Sequence, residues 1–142
     1  MPPRAEDPTG AEEEQGGGLR IAVARAGPAR VVTVAGELDH DSADSLRPVL
    51  AGPAEDGVER IVVDLAGLRF CDSTGLNILL HARIEAEATG LRLELASLRP
   101  IVARLFAITG ADTVLRIHPD LRAALASADG PSDDAGETPG SA

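Results

Sequence analysis

A chain of 142 residues that is 44% hydrophobic can fill one core and is too short for two ordinary domains. Its formal net charge of -10, with no Trp, no Tyr and only arginine among its 13 basic residues, argues against a nucleic-acid surface, and without lysine there is no phosphate-loop signature and no Schiff-base chemistry. No apolar run reaches the ~18 residues that a bilayer-spanning helix needs, and the acidic start lacks the apolar core of a secretory signal, so a cytoplasmic place without membrane partners is expected.

The acid is concentrated at the ends. Residues 1–18 carry five acids against Arg4, and 129–142 carry four acids and no base. Both stretches are rich in Gly, Pro, Ser and acids and hold few large apolar side chains, so both are read as disordered tails around one domain at 19–128. Within that domain, 19–26 and 29–35 have strand spacing and are divided by the breaker pair Gly27-Pro28. Ala43, Leu46, Val49 and Leu50 then repeat at helical spacing over 42–51, with Asp41 or Ser42 able to cap and Pro48 expected to kink or end the helix. Ile61-Val62-Val63 is a β-branched run typical of a strand covered on both faces.

A short loop is expected over 66–72, followed by a helix whose inward side chains would be Leu76, Leu79, Leu80 and Ile84, stopped by Thr89-Gly90. Leu91, Leu93 and Leu95 alternate with Arg92 and Glu94, the pattern of a half-exposed strand. Pro100 suits the first turn of the next helix, with Val102, Leu105, Phe106 and Ile108 facing inward and Gly110 ending it. A strand at 114–117 and a helix at about 120–127 complete the order. Alternation of this kind predicts an α/β fold with a mixed sheet of four to five strands flanked by about four helices.

The segment with most chemical content runs from Asp64 to Leu76, out of a strand and into a helix. It places Ser73 where the first-turn N–H groups are unpaired and the positive end of the helix dipole favours an anion. Asp72, Ser73 or Thr74 could equally serve as the helix cap. A hydrolytic serine is disfavoured, since Cys71 two residues before Ser73 breaks the Gly-x-Ser-x-Gly elbow and no His stands in a recognisable family order. Asp39, His40, Asp41 and Asp44 could hold a metal in principle, but first-turn acids account for Asp41 and Asp44 without one, so neither a metal nor a cofactor is expected. Cys71 reads as a small buried filler, while His81 on a helix and His118 in a loop read as structural or exposed.

Three motifs in order, Gly36-Glu37-Leu38-Asp39, Phe70-Cys71-Asp72-Ser73-Thr74-Gly75-Leu76 and Val102-x-Arg104-Leu105-Phe106-x-x-Thr109-Gly110, resemble the STAS domain of anti-sigma factor antagonists. The resemblance covers residues 19 to about 128. It implies a non-enzymatic regulator with a phosphorylatable Ser73, and a partner that is both a serine/threonine kinase and an anti-sigma factor. It further implies a phosphatase acting on phospho-Ser73, and partner contacts at Asp39, His40, Asp41, Asp72, Ser73, Thr74, Gly75 and Asn77. Asn77 stands where many members have Gly, and Ala111 where many have Leu. A scaffold or sensor subunit that assembles without phosphorylation is the competing expectation.

Overall fold

Six strands lie side by side in chain order in the computed structural model, which describes residues 13–15, 18–51 and 56–127. They are β1 (Glu13–Gln15), β2 (Leu19–Ala26), β3 (Ala29–Leu38), β4 (Arg60–Cys71), β5 (Arg92–Ala96) and β6 (Arg116–His118). The first three are antiparallel, and β3 to β6 run parallel. Each parallel step needs a crossover, supplied by α1 (Ala43–Ala51), α2 (Ser73–Ala88) and α3 (Pro100–Thr109). A fourth helix, α4 (Leu121–Ala126), follows β6. Five strands and four helices fall where the sequence places them. The sixth strand, β1, falls within 1–18, the stretch read as a tail; the remainder of that reading concerns 1–12, 16–17 and 128–142, outside the described residues.

The sheet is covered on both faces, and the two coverings differ in size. Leu46 and Leu50 of α1, Leu76, Ile78, Leu79 and Ala82 of α2, and Val102 and Phe106 of α3 bury one face together with Val32, Ile61, Val63, Leu93 and Leu95. On the other face, Ala124 of α4 packs on Ala29, Val62 and Ala96. Glu94, expected to point into water, points instead beneath α4 and is 3% exposed. Strand alternation places it away from the main core, as the pattern says, but that second face is not solvent. Its carboxylate accepts from Arg60 Nη1 at 2.8 Å and lies 3.0 Å from His118 Nε2, while Arg60 Nη2 donates to the Ala124 carbonyl at 2.7 Å. His118, expected in a loop, is therefore a buried member of this cluster on β6.

Several local expectations are corrected. Residues 66–71 form no loop: β4 continues to Cys71, and two register shifts against β3 absorb its extra residues. Helix α1 runs through Pro48 to Ala51, because the carbonyl that loses its partner belongs to the exposed Asp44 and can bond water. On α2 the buried side chains are Leu76, Ile78, Leu79, Ala82 and Ala86, with Leu80 half-buried and Ile84 exposed. On α3 only Val102 and Phe106 are buried; Leu105 is half-buried and Ile108 is 75% exposed.

Candidate functional site

Two loops meet at the carboxyl ends of the parallel strands β3 and β4. The first leaves β3 at Asp39, whose Oδ1 accepts from the Asp41 N–H at 3.0 Å and the Ser42 N–H at 3.2 Å. Ser42, fully buried, donates from Oγ to the Glu37 carbonyl at 2.8 Å and accepts from the Asp39 N–H at 3.0 Å. The turn into α1 is thus held by Asp39 and Ser42 jointly, where the sequence offers Asp41 or Ser42 as a simple cap. His40 and Asp41 are left exposed at its tip.

The second junction follows β4. The Asp72 N–H donates to the Leu38 carbonyl at 3.2 Å, and Asp72 Oδ1 accepts from the Gly75 N–H at 3.0 Å, so Asp72 is the N-cap of α2. The cap is settled in favour of Asp72, which frees the next residue. Ser73 is exposed and its hydroxyl forms no hydrogen bond among the described residues. Thr74 and Asn77 are exposed on the same end of the helix. His40 Nδ1 stands 4.0 Å from Asp72 Oδ2 and its Nε2 stands 3.4 Å from Asp41 Oδ1, so the imidazole lies between the two loops.

Gly75, named among the implied partner contacts, has a packing task. It is buried, and a Cβ at this position would come within 2.6 Å of Leu38 Cγ and 2.8 Å of the Leu38 carbonyl oxygen. Its missing side chain lets α2 approach the end of β3. Gly75→Ala should therefore destabilise the fold by about 1–3 kcal/mol, read as a lower urea midpoint. An unchanged midpoint would mean that the contact relaxes freely.

Phe70 is 43% exposed beside this junction and is paired in register with the exposed Glu37. It adds an apolar edge to an otherwise acidic surface, and the sequence signals it only as part of the Phe70-Cys71-Asp72-Ser73 run. Cys71 is buried; burial first, and then the neighbouring Asp72 charge, push its thiol up to about 12, which leaves it inert as a nucleophile. Asp39, His40, Asp41 and Asp44 do not converge: no cluster of three or more His, Cys, Asp or Glu among the described residues is arranged to hold a metal ion. His81 is exposed on α2 and makes no hydrogen bond or ion pair among the described residues. No helix among the described residues is long and apolar enough to cross a membrane.

The family model described as Mlab, STAS domain, matches residues 21–128. The chain belongs to the STAS domain family. An anti-sigma F factor antagonist of Lysinibacillus sphaericus is 32% identical over 81 residues, covering 56% of this chain and 69% of that protein. Among solved structures, an anti-sigma factor antagonist from Mycobacterium paratuberculosis superposes with a TM-score of 0.69 at 27% identity, over 77% of this chain and 92% of that one. The Bacillus cell fate determinant SpoIIAA, solved in its phosphorylated form, shares the STAS fold with a TM-score of 0.60 at 22% identity, over 77% of this chain and 99% of that one.

Proposed function

We propose that this STAS domain is a cytoplasmic anti-sigma factor antagonist, a binding protein and not an enzyme, whose docking is switched off by phosphorylation of Ser73. In the unmodified state it binds an anti-sigma factor that is also a serine/threonine kinase, and so releases a sigma factor. A phosphatase acting on phospho-Ser73 restores the binding form. The observation that carries this reading is the division of labour at the start of α2: Asp72 caps the helix, and Ser73 beside it is left exposed with an uncommitted hydroxyl. Relatives named as anti-sigma factor antagonists support the antagonist part of this reading.

Electrostatics gives the switch its direction. A phosphoserine brings about -1.5 to -2 charges. It would arrive next to Asp72 and close to the loop that carries Asp39 and Asp41, on a surface that is acidic already. The first-turn N–H groups and the helix dipole stabilise the added anion, so the fold survives while a docked partner meets the extra negative charge. Asp39, His40, Asp41, Asp72, Ser73, Thr74 and Asn77 form the docking surface, with Phe70 as its apolar edge.

Because the cap is Asp72, Ser73→Ala should leave the unfolding free energy within ~0.5 kcal/mol of the parent, at or below the low end of the ~0.5–2 kcal/mol of a lost cap. Incubating the parent, Ser73→Ala and Thr74→Ala proteins with the cognate kinase and ATP, then mapping phosphate by mass spectrometry, tests the acceptor. Phosphate on the parent and Thr74→Ala proteins only is the expected result. Full phosphorylation of Ser73→Ala overturns the assignment, and no phosphorylation of any of the three favours a scaffold that assembles without a phosphate cycle.

A further inference from the structure

On the second face of the sheet one carboxylate serves more cations than it can balance. Glu94 accepts from Arg60 Nη1 at 2.8 Å and from Arg92 Nε at 3.4 Å, and lies 3.0 Å from His118 Nε2. Arg116 is its ladder neighbour on β6, and strand alternation puts Arg116 on the same face as His118. Three arginines against one carboxylate leave two positive charges in excess, even with His118 neutral. Arg92 uses only Nε, so both of its Nη groups are without a hydrogen bond among the described residues. Arg116 and, on the covering helix α4, Arg122 are exposed and make no hydrogen bond or ion pair there. Glu59, the residue before Arg60, forms no ion pair with any of them.

The chain itself brings the matching charge to this place. Arg60 Nη2 donates to the Ala124 carbonyl at 2.7 Å, which pins the end of α4 beside Arg60, and Arg60 and Arg92 are ladder partners. The segment that follows, 129–142, carries Asp129, Asp133, Asp134 and Glu137 and no basic residue. Asp129 is five residues past Ala124, so at most about 17 Å of extended chain separates them, while adjacent strands are only ~4.8 Å apart. The acids can thus reach Arg92 and Arg116 with the domain unchanged. With no Leu, Ile, Val or Phe in 129–142, charge alone would hold the segment, and each exposed pair is weak. The short connection offsets that weakness by keeping the acids at an effective concentration on the order of millimolar.

We propose that the acidic segment 129–142 docks back onto the arginine patch of the second sheet face, as an intramolecular strap over Arg92 and Arg116. The patch lies at the amino ends of β4, β5 and β6, whereas Ser73 follows the carboxyl end of β4, so the proposal stands or falls independently of the phosphate switch.

Paramagnetic relaxation in the full chain tests this directly. A nitroxide attached through Ser141→Cys marks the far end of the segment, and the buried Cys71 does not compete for the label. At ~0.01 M salt the Arg92 and Arg116 amide signals should lose at least about half their intensity, and at ~1 M salt, where screening acts within ~3 Å, they should recover. Changing Asp129, Asp133 and Asp134 to Asn together with Glu137 to Gln should abolish the low-salt loss, which separates docking from mere tethering. Arg116→Gln, at an exposed position, should weaken it with an unchanged melting temperature. Signals that are unaffected at low salt, or that stay broadened once the four acids are neutral, overturn the proposal. Mixing isotope-labelled parent with spin-labelled chains of natural isotope content identifies the occupant: broadening as strong as within one chain means that the segment docks on a second copy, and overturns the intramolecular strap.

Discussion

Replacing Glu94 with Gln should destabilise the domain by about 3–5 kcal/mol at neutral pH, because it leaves Arg60 buried without its counter-ion. Arg60 is 2% exposed, and its Nη1 would lose a 2.8 Å charged hydrogen bond while Nη2 keeps only the Ala124 carbonyl. His118 loses the same carboxylate. Replacing Arg60 and Glu94 together with Met and Leu should restore much of the loss, since neither charge of that pair is then stranded and the Arg60 Nε, which has no hydrogen-bond partner among the described residues, goes too. Urea unfolding of the three proteins distinguishes the cases, and a Glu94→Gln effect below ~1 kcal/mol would contradict the burial of this cluster.

The pH dependence of that effect has a defined sign. Burial by itself raises the affinity of Glu94 for a proton, but the hydrogen bond from His118 and the charges of Arg60, His118 and Arg116 outweigh it, so the carboxyl sits below its ordinary value of 4.5. A carboxylate held lower in the folded than in the unfolded chain contributes stability that is complete above the unfolded value and lost as pH falls through the folded one. The gap between parent and Glu94→Gln should therefore be widest at neutral pH and shrink below about pH 4.5. A gap that widens with acid would reverse the sign.

Phe106→Ala should cost about 3–5 kcal/mol, the range for truncating a fully buried aromatic ring. Ile108→Ala, two residues on, should change the stability by no more than about 0.5 kcal/mol because its side chain is outside the core. Equal effects at the two positions, measured by thermal or urea unfolding, would mean that α3 is rotated about its axis from the orientation described.

This contrast also marks where the sequence is readable and where it stops being so. Several element boundaries are legible because they are set locally: Gly27-Pro28 divides β2 from β3, Thr89 and Gly90 end α2, Pro100 and the left-handed Gly110 bracket α3, and Asp120 caps α4. The inward faces of the helices are less so. In α2 the small Ala82 and Ala86 occupy buried positions while the larger Leu80 is only half-buried and Ile84 is exposed, so counting bulky side chains selects a face rotated from the true one. The continuation of β4 through 66–71 depends on its bulged pairing with β3, a long-range feature with no local pattern. Glu94 and His118 read as exposed or structural because alternation shows which face a side chain occupies, not whether a later helix will cover that face.

At the site, the position of Ser73 at the head of a helix was legible from the strand, the loop residues and the helical repeat. The partition between a capping Asp72 and an uncommitted Ser73 was not, since either side chain can cap. Nor was the reason for Gly75, which lies in the Leu38 contact 37 residues earlier in the chain.

The most direct measurement of the central proposal is a calorimetric titration of the cognate anti-sigma factor kinase with the full chain carrying Ser, or phosphoserine incorporated at position 73. The unmodified protein should bind, and the phosphoserine form should bind at least about 100-fold more weakly, a difference of about 2.7 kcal/mol, with the same melting temperature. Equal affinity of the two folded forms would contradict the switch.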